Sequence, residues 1–298
     1  MRKTALLIFA CLLLVPIGCS SPAASGTAGT GSAAATLGSA TVTSRTTAAA
    51  PGPKLESRPP LPAWARPYEG IATLGVITNK PQVALTIDDV GAAEMKPLVD
   101  ALVANKLPAT LFCIGSQMTT EAAAYAGAHA ADGIELGDHS WIHNSIGHYA
   151  PVPANEQIMR TARLLEAGTG VWPVWYRSPF NLYHSQGMRS VAAAGMLVAI
   201  DSNDPLDYHG YFGKQLVDRI DVKLKPGQII LLHHYAKTID TLPAIAAMLH
   251  QRGYTVLNLT ELAQTGKPAT QASQLDPGHG GSDFLTRVRL RLMRLFGR

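Results

Sequence analysis

Cysteine is nearly absent from this chain, with three in 298 residues. Cys11 and Cys19 fall in the first apolar run, so Cys113 alone is left for the folded part. A single cysteine cannot close an internal disulfide, and the domain must rely on its core or on a bound metal. Cys113 lies in the apolar run Ala109–Ile114 and reads as a buried structural thiol. A long apolar segment is also missing. Ala5–Ile17 is about a dozen residues, against the roughly 20 of a spanning helix. Behind the basic start Met1-Arg2-Lys3 it reads as a secretory signal. Excess charge is missing everywhere except at one end. The formal net charge is +4, and residues 282–298 carry all of it, with Arg287, Arg289, Arg291, Arg294 and Arg298 against Asp283. The remainder is formally neutral, which argues against a nucleic-acid partner.

From Ser20 to about Thr47 the chain lacks large apolar residues and is built of Ser, Ala, Gly and Thr. Such a stretch cannot bury enough surface to offset its ordering entropy and reads as a flexible tether. Pro51–Pro67 is proline-rich and extended in character. Gly18-Cys19, at the end of the apolar run, looks like the lipobox of bacterial lipoproteins, although Pro16 stands where leucine is usual. Cys19 is therefore the expected lipidation site, anchoring an exported chain to the membrane of the cell envelope. Cleavage near Ala23 or Ala24 would instead release a secreted product. The expected division is a signal over 1–19, a tether over 20–67, one domain over 68–266, and a linker with a basic tail over 267–298. As a helix, that tail would place Arg287, Arg291, Arg294 and Arg298 on one face. Leu285, Val288, Leu292, Leu295 and Phe296 would share another. Such a helix suits either an anionic membrane or polymer, or packing against the domain.

After Tyr68, short apolar runs alternate with helix-like stretches. The runs are Val83–Ile87, Ala109–Ile114, Ile134–Leu136, Val174–Tyr176, Leu197–Ile200, Gln228–Leu232 and Tyr254–Leu257. Helices are expected at about 95–105, 119–131, 155–167, 185–194, 213–223 and 240–251. About seven strands, each feeding a helix, predict an α/β fold with a parallel sheet. Polar residues follow five of these strands: Asp88 and Asp89, His139, Arg177, Asp201 and His233. They can converge on one point if the strands circle a common axis, so the expected fold is a (β/α) barrel with its site at the carboxyl rim.

Five motifs in fixed order carry the chemistry: Thr86-Ile87-Asp88-Asp89, His139-Ser140-Trp141-Ile142-His143, Tyr176-Arg177-Ser178-Pro179-Phe180, Asp201-Ser202-Asn203-Asp204 and Leu231-Leu232-His233. An isolated Asp-Asp after a strand is most often a turn or a helix cap. His139 and His143 are four apart, a spacing that on a helical turn puts both imidazoles on one face. Together the motifs resemble those of the polysaccharide deacetylases of carbohydrate esterase family 4, over roughly Pro81 to Ala263.

That resemblance implies a distorted (β/α) barrel and a divalent metal, zinc above all, with cobalt, nickel or manganese as alternatives. It implies removal of acetyl groups from an acetylated amino-sugar polysaccharide. Asp89, His139 and His143 become the metal ligands, a nitrogen-rich set that leaves coordination positions open. Asp88 becomes the general base and Arg177 the residue that holds it. The main-chain N–H of Phe180 takes the oxyanion position, and Asn181 stands near where a glycine often sits. His233 becomes the general acid, with Asp204 as its orienting carboxylate and Asp201 as runner-up; the adjacent His234 reads as a bystander. Leu231 becomes the apolar contact for the acetyl methyl. Asp204 is followed by Pro205 where tryptophan is common, which implies a lost wall of the groove.

The expected substrates are peptidoglycan or a poly-N-acetylglucosamine, with no carbohydrate-binding module recognisable. Two other readings stay open: a non-catalytic carbohydrate-binding lipoprotein on the same fold, motivated by Val90, Asn181 and Pro205, and an O-acetyl xylan esterase.

Overall fold

The computed structural model describes residues 59–145 and 154–275. The signal segment, Cys19, most of the tether and the tail beyond Leu275 lie outside the described residues. Four strands come first: β1 (Ala72–Thr73), β2 (Gly75–Ile77), β3 (Gln82–Val90) and, after helix α1 (Ala92–Ala104), β4 (Ala109–Cys113). Next come α2 (Thr120–Gly127), β5 (Ile134–Asp138), α3 (Ala154–Thr169), β6 (Trp175–Tyr176), α4 (Ser185–Ala193) and β7 (Leu197–Ala199). The remainder is α5 (Lys214–Asp221), β8 (Ile229–His233), α6 (Ala236–Gln251), β9 (Thr255–Leu257), α7 (Leu259–Ala263) and β10 (Lys267–Ala269). The seven expected strands are β3 to β9.

Strands run β1-β7-β6-β5-β4-β3-β8 in one eight-stranded sheet, with β9 against the start of β3. Every pairing in that sheet is parallel. Parallel strands covered on both faces read as continuous apolar runs, as in the wholly buried Ala-Thr-Leu-Phe-Cys of β4. The sheet curls into a distorted (β/α) barrel. Its end strands, β1 and β8, are joined by no ladder among the described residues. Isolated bridges span the gap instead, Asn203 to Ile230 and Gly75 to Gln228. Gly227 permits that closure: its φ is +76°, and a Cβ there would lie 1.8 Å from the Val76 carbonyl.

Side chains on β3 alternate with the period of two that a strand requires. Val83, Leu85 and Ile87 join Leu111, Leu232 and the buried faces of α1 and α6 in the outer core. Ala84 faces inward with Phe112, Trp175 and Ile229. The inward series Ala84, Thr86, Asp88 therefore carries polarity up the barrel axis towards the rim. Cys113 is fully buried, its thiol donating to the Leu111 carbonyl at 3.4 Å, and burial pushes its pKa up.

Ordered structure passes both expected domain boundaries. Ala63–Tyr68 forms a 3-10 helix that buries Ala65 and Tyr68, with Trp64 packed against Trp175. At the other end, β10 pairs antiparallel with β2 in a separate two-stranded sheet, so residues 267–269 are a strand where a linker was expected. A six-residue 3-10 helix and a pairing of three-residue strands are both too short to show a period in the sequence.

Candidate metal centre and acid–base pair

Asp88 and Asp89 end the longest strand, and backbone geometry separates their tasks. Asp88 continues the inward series, 5% exposed, while Asp89 would alternate outward. It does not, because the β3–β4 register shifts between Ile87 and Val90 and Asp89 adopts φ 64°. Such an irregularity re-aims a side chain at a strand end, here back to the rim. Asp89 Oδ1 then lies 3.3 Å from His139 Nε2 and 2.9 Å from His143 Nε2.

The two histidines meet without a helix. Residues 139–145 are irregular, with bends at 141–143, and positive φ at Ser140 (68°) and His143 (56°) folds the imidazoles together. Here the helical-turn expectation is corrected. The loop is held by other means: Ser140 N–H donates to Asp138 Oδ1 at 2.8 Å, and the Trp141 and Ile142 amides donate to buried Gln157 on α3 at 3.0 and 3.1 Å. His139 is 2% exposed, and its Nδ1 lies 2.9 Å from the Arg177 carbonyl. A carbonyl can only accept, so Nδ1 carries the proton and the Nε2 lone pair faces Asp89.

This donor set fits a divalent ion. The three ligand atoms lie within 4.8 Å of one another, and Asp89 Oδ1 is buried with no hydrogen-bond partner. A lone pair aimed at a carboxylate oxygen is repulsive unless a cation sits between them.

Arg177, fully buried above the Phe112 ring at 4.4 Å, donates from one nitrogen to Asp88 Oδ1 at 2.7 Å and to Thr86 Oγ1 at 2.8 Å. Asp88 is paired in register with His233 across β3 and β8, which sets the acid opposite the base. Leu231 lies one inward position below His233 on β8 and is 5% exposed.

Asp204 does not orient His233. Its carboxylate takes the Leu206 amide at 2.8 Å and the Tyr208 hydroxyl at 2.9 Å, and so shapes its own loop. The partner of His233 is Asp207, fully buried, with Oδ1 at 2.7 Å from Nδ1 and Oδ2 accepting the His233 main-chain N–H at 2.7 Å. Thr238 donates to the same carboxylate at 2.9 Å. Leu206, in the left-handed region at φ 66°, turns the chain so that Asp207 and not Asp204 reaches β8. The signal available in the sequence was an Asp followed by an aromatic residue, Asp207-Tyr208. Tyr208 also restores the wall that Pro205 seemed to remove, its ring edge-on to His233 at 5.1 Å. Burial alone would lower the His233 pKa; the Asp207 hydrogen bond and the charges of Asp88, Asp207 and Asp89 raise it above the ordinary value.

Asp201 serves the neighbouring turn instead. It accepts from Asn181 Nδ2 at 2.6 Å, and burial pushes its pKa up to about 6. Phe180 and Asn181 are both left-handed, at φ 60° and 52°. Asparagine tolerates that region, so Asn181 does what glycine would do and is tied down by its side chain. Phe180 is 69% exposed, with its ring edge-on to His143 at 4.8 Å. His234 rests against Tyr235 at 5.3 Å, away from these contacts.

The chain is 29% identical over 191 residues to the peptidoglycan-N-acetylmuramic acid deacetylase PdaC of Bacillus subtilis, covering 63% of this chain and 40% of that protein. It is 25% identical over 195 residues to a peptidoglycan-N-acetylglucosamine deacetylase of Bacillus cereus, covering 63% and 70%. Among solved structures it is similar to a carbohydrate esterase family 4 pseudoenzyme from Bacillus anthracis. That match has a TM-score of 0.59 at 25% identity and covers 65% of this chain and 69% of the other. The chain spans less than two thirds of the length of several curated relatives, PdaC among them. Residues 75–199, from β2 through β7, match the family model described as polysaccharide deacetylase, the family whose motifs this chain resembles.

Proposed function

We propose that this protein is a metal-dependent deacetylase that removes N-acetyl groups from an amino-sugar polysaccharide of the cell envelope, of the peptidoglycan or poly-N-acetylglucosamine type. The observation that carries the reading is the facing pair of restrained groups beside one donor set. Asp88 is held by Arg177, His233 is held by Asp207, and Asp89, His139 and His143 lie next to them.

Asp89, His139 and His143 would hold a divalent ion, most simply zinc, which supplies Lewis acidity at the acetyl carbonyl and acidifies a water. Asp88 takes the proton of the attacking water, oriented by Arg177. The Phe180 main-chain N–H is assigned to the developing oxyanion and Leu231 to the acetyl methyl. An amine leaves poorly unless protonated, and His233, kept protonated by Asp207, gives it that proton. The same requirement favours an amide over an O-acetyl ester such as acetylxylan.

Similarity to a pseudoenzyme supports the alternative of a carbohydrate-binding protein without turnover. Retention of Asp88, Asp89, His139, His143, Arg177 and His233 opposes it. Export with a lipid anchor at Cys19, and attachment of the basic tail to an anionic surface, belong to the same proposal and would keep the domain beside the wall. Acetate release by the full chain from N-acetylglucosamine oligomers, peptidoglycan and acetylxylan, with zinc and with chelator, tests it. Metal-dependent release abolished by Asp88→Asn supports the reading. Stoichiometric bound metal with no release from any glycan overturns it in favour of the binding protein.

A further inference from the structure

Outside the catalytic contacts, a cavity of about 460 Å³ lies between α5 and the first turns of α6. Its lining includes Phe212, Val217 and Ala244 on the apolar side and Lys237 and Asp240 on the polar side. The volume lies in the range of about 300–1,000 Å³ of small-ligand sites. Lys237 lies over the Phe212 ring at 5.5 Å, and neither Lys237 nor Asp240 has an ion-pair partner among the described residues. Lys214, by contrast, is neutralised by Asp218 at 2.7 Å.

A line of aromatic rings joins this cavity to the catalytic acid. Tyr235 stacks on His233 with centroids 5.8 Å apart and an interplanar angle of 25°. Phe212 meets Tyr235 edge-on at 6.3 Å. Tyr208 flanks His233 on its other contact at 5.1 Å and is 45% exposed. Both α5 and α6 follow strands of the parallel sheet and so begin towards its carboxyl rim, the end of the barrel that bears His233.

We infer that the Phe212–Lys237 cavity is a distal sugar subsite, which binds a further pyranose ring of the same polymer whose acetyl group is cleaved beside His233. This rests on the deacetylase reading above and adds to it a preference for longer chains. A pyranose has one face of C–H bonds and a girdle of hydroxyls. An aromatic ring suits the face, and one cationic donor beside one anionic acceptor suits the hydroxyls. Three features point to sugar rather than to a protein segment. The ring contacts of Tyr235 run from Phe212 to His233, the opposite charges of Lys237 and Asp240 leave the cavity without a net preference for ions, and its size fits a single ring.

The test uses the full chain with zinc, N-acetylglucosamine oligomers of two to six sugars, and the variants Phe212→Ala, Phe212→Tyr and Lys237→Ala. Phe212→Ala should lower kcat/KM for the hexamer by about tenfold while leaving the dimer unchanged, because only the longer chain reaches the subsite. Phe212→Tyr should restore the wild-type value, and equal melting temperatures would show that the fold is intact. Loss on dimer and hexamer alike, or on neither, overturns the subsite and leaves the deacetylase reading standing. If the wild-type protein turns over no glycan, that reading fails, and calorimetric binding of the same oligomers reads the subsite on its own. Phe212→Ala must then weaken hexamer binding more than dimer binding, and unchanged isotherms overturn the inference.

Discussion

Asp207 grips His233 twice, one carboxylate oxygen 2.7 Å from the ring Nδ1 and the other 2.7 Å from the main-chain N–H. Ring and backbone are thus fixed by one buried group. The tautomer is fixed with them, because an ionised carboxylate can only accept, which leaves Nε2 as the working nitrogen. The raised pKa keeps the imidazole protonated to higher pH. Asp207→Asn should therefore move the basic limb of the kcat profile to lower pH and reduce kcat. Asp204→Asn should leave that limb in place. His233→Ala should lower kcat on an amide by about 10²–10⁴, and less on an ester. A pH–rate profile of the three variants decides the matter; identical shifts for Asp204→Asn and Asp207→Asn would remove Asp207 from its assigned role.

Metal binding should be visible without turnover. Three donors that repel one another in the bare protein gain most from a cation, and a ligand that binds only the folded state stabilises it by mass action. At a thousandfold excess over Kd that is about 4 kcal/mol, or about 10 °C in melting temperature for a domain of this size. Thermal melts with zinc and with chelator should show this shift in the wild-type protein and lose it in His139→Ala. No shift with zinc, cobalt, nickel or manganese would count against the donor set.

Arg177 should be a stability residue as well as a positioning one. Its guanidinium and the Asp88 carboxylate are both buried and paired at 2.7 Å. Arg177→Ala would leave that carboxylate uncompensated, at a cost of about 3–5 kcal/mol in urea unfolding. Arg177→Lys should also fall short, because an ammonium lacks the flat guanidinium face that rests on Phe112 while one of its nitrogens reaches Thr86 and Asp88.

Asp201 predicts the opposite sign. Its folded pKa is raised from 3.8 to about 6, so between those values the folded protein holds a proton that the unfolded chain has lost. Stability from this group is therefore present below pH 3.8 and is lost as pH rises through about 6. Asp201→Asn should raise stability at pH 8 by up to about 3 kcal/mol, while Asn181 keeps an acceptor for its amide. Chemical denaturation at pH 4 and pH 8 measures the difference, and a gain equal at both would rule out ionisation as its cause.

Much of this architecture was legible in the residues because its causes are local. Apolar runs such as Ala109–Cys113 and Ile229–Leu232 declare buried parallel strands, and the polar residue after each run declares the rim. β1, β2 and β10 were not legible, being two or three residues long with pairings that are set only when distant segments close the barrel. The loop after β7 misled for a related reason. Asp201, Asp204 and Asp207 are chemically alike, and only the aromatic residue that follows Asp207 sets it apart in the sequence.

By itself, the sequence determined the residue types of the site, their order and the strand ends that bear them, since each follows from side-chain chemistry and a period of two. Only the tertiary structure decided the partnerships. A register shift and a left-handed backbone aimed Asp89 at the histidines, left-handed residues at Ser140 and His143 closed a loop expected to be helical, and the turn at Leu206 delivered Asp207 in place of Asp204. Each depends on a backbone dihedral held by contacts far away in the chain, and such a dihedral has no one-residue signature when the residue is not glycine.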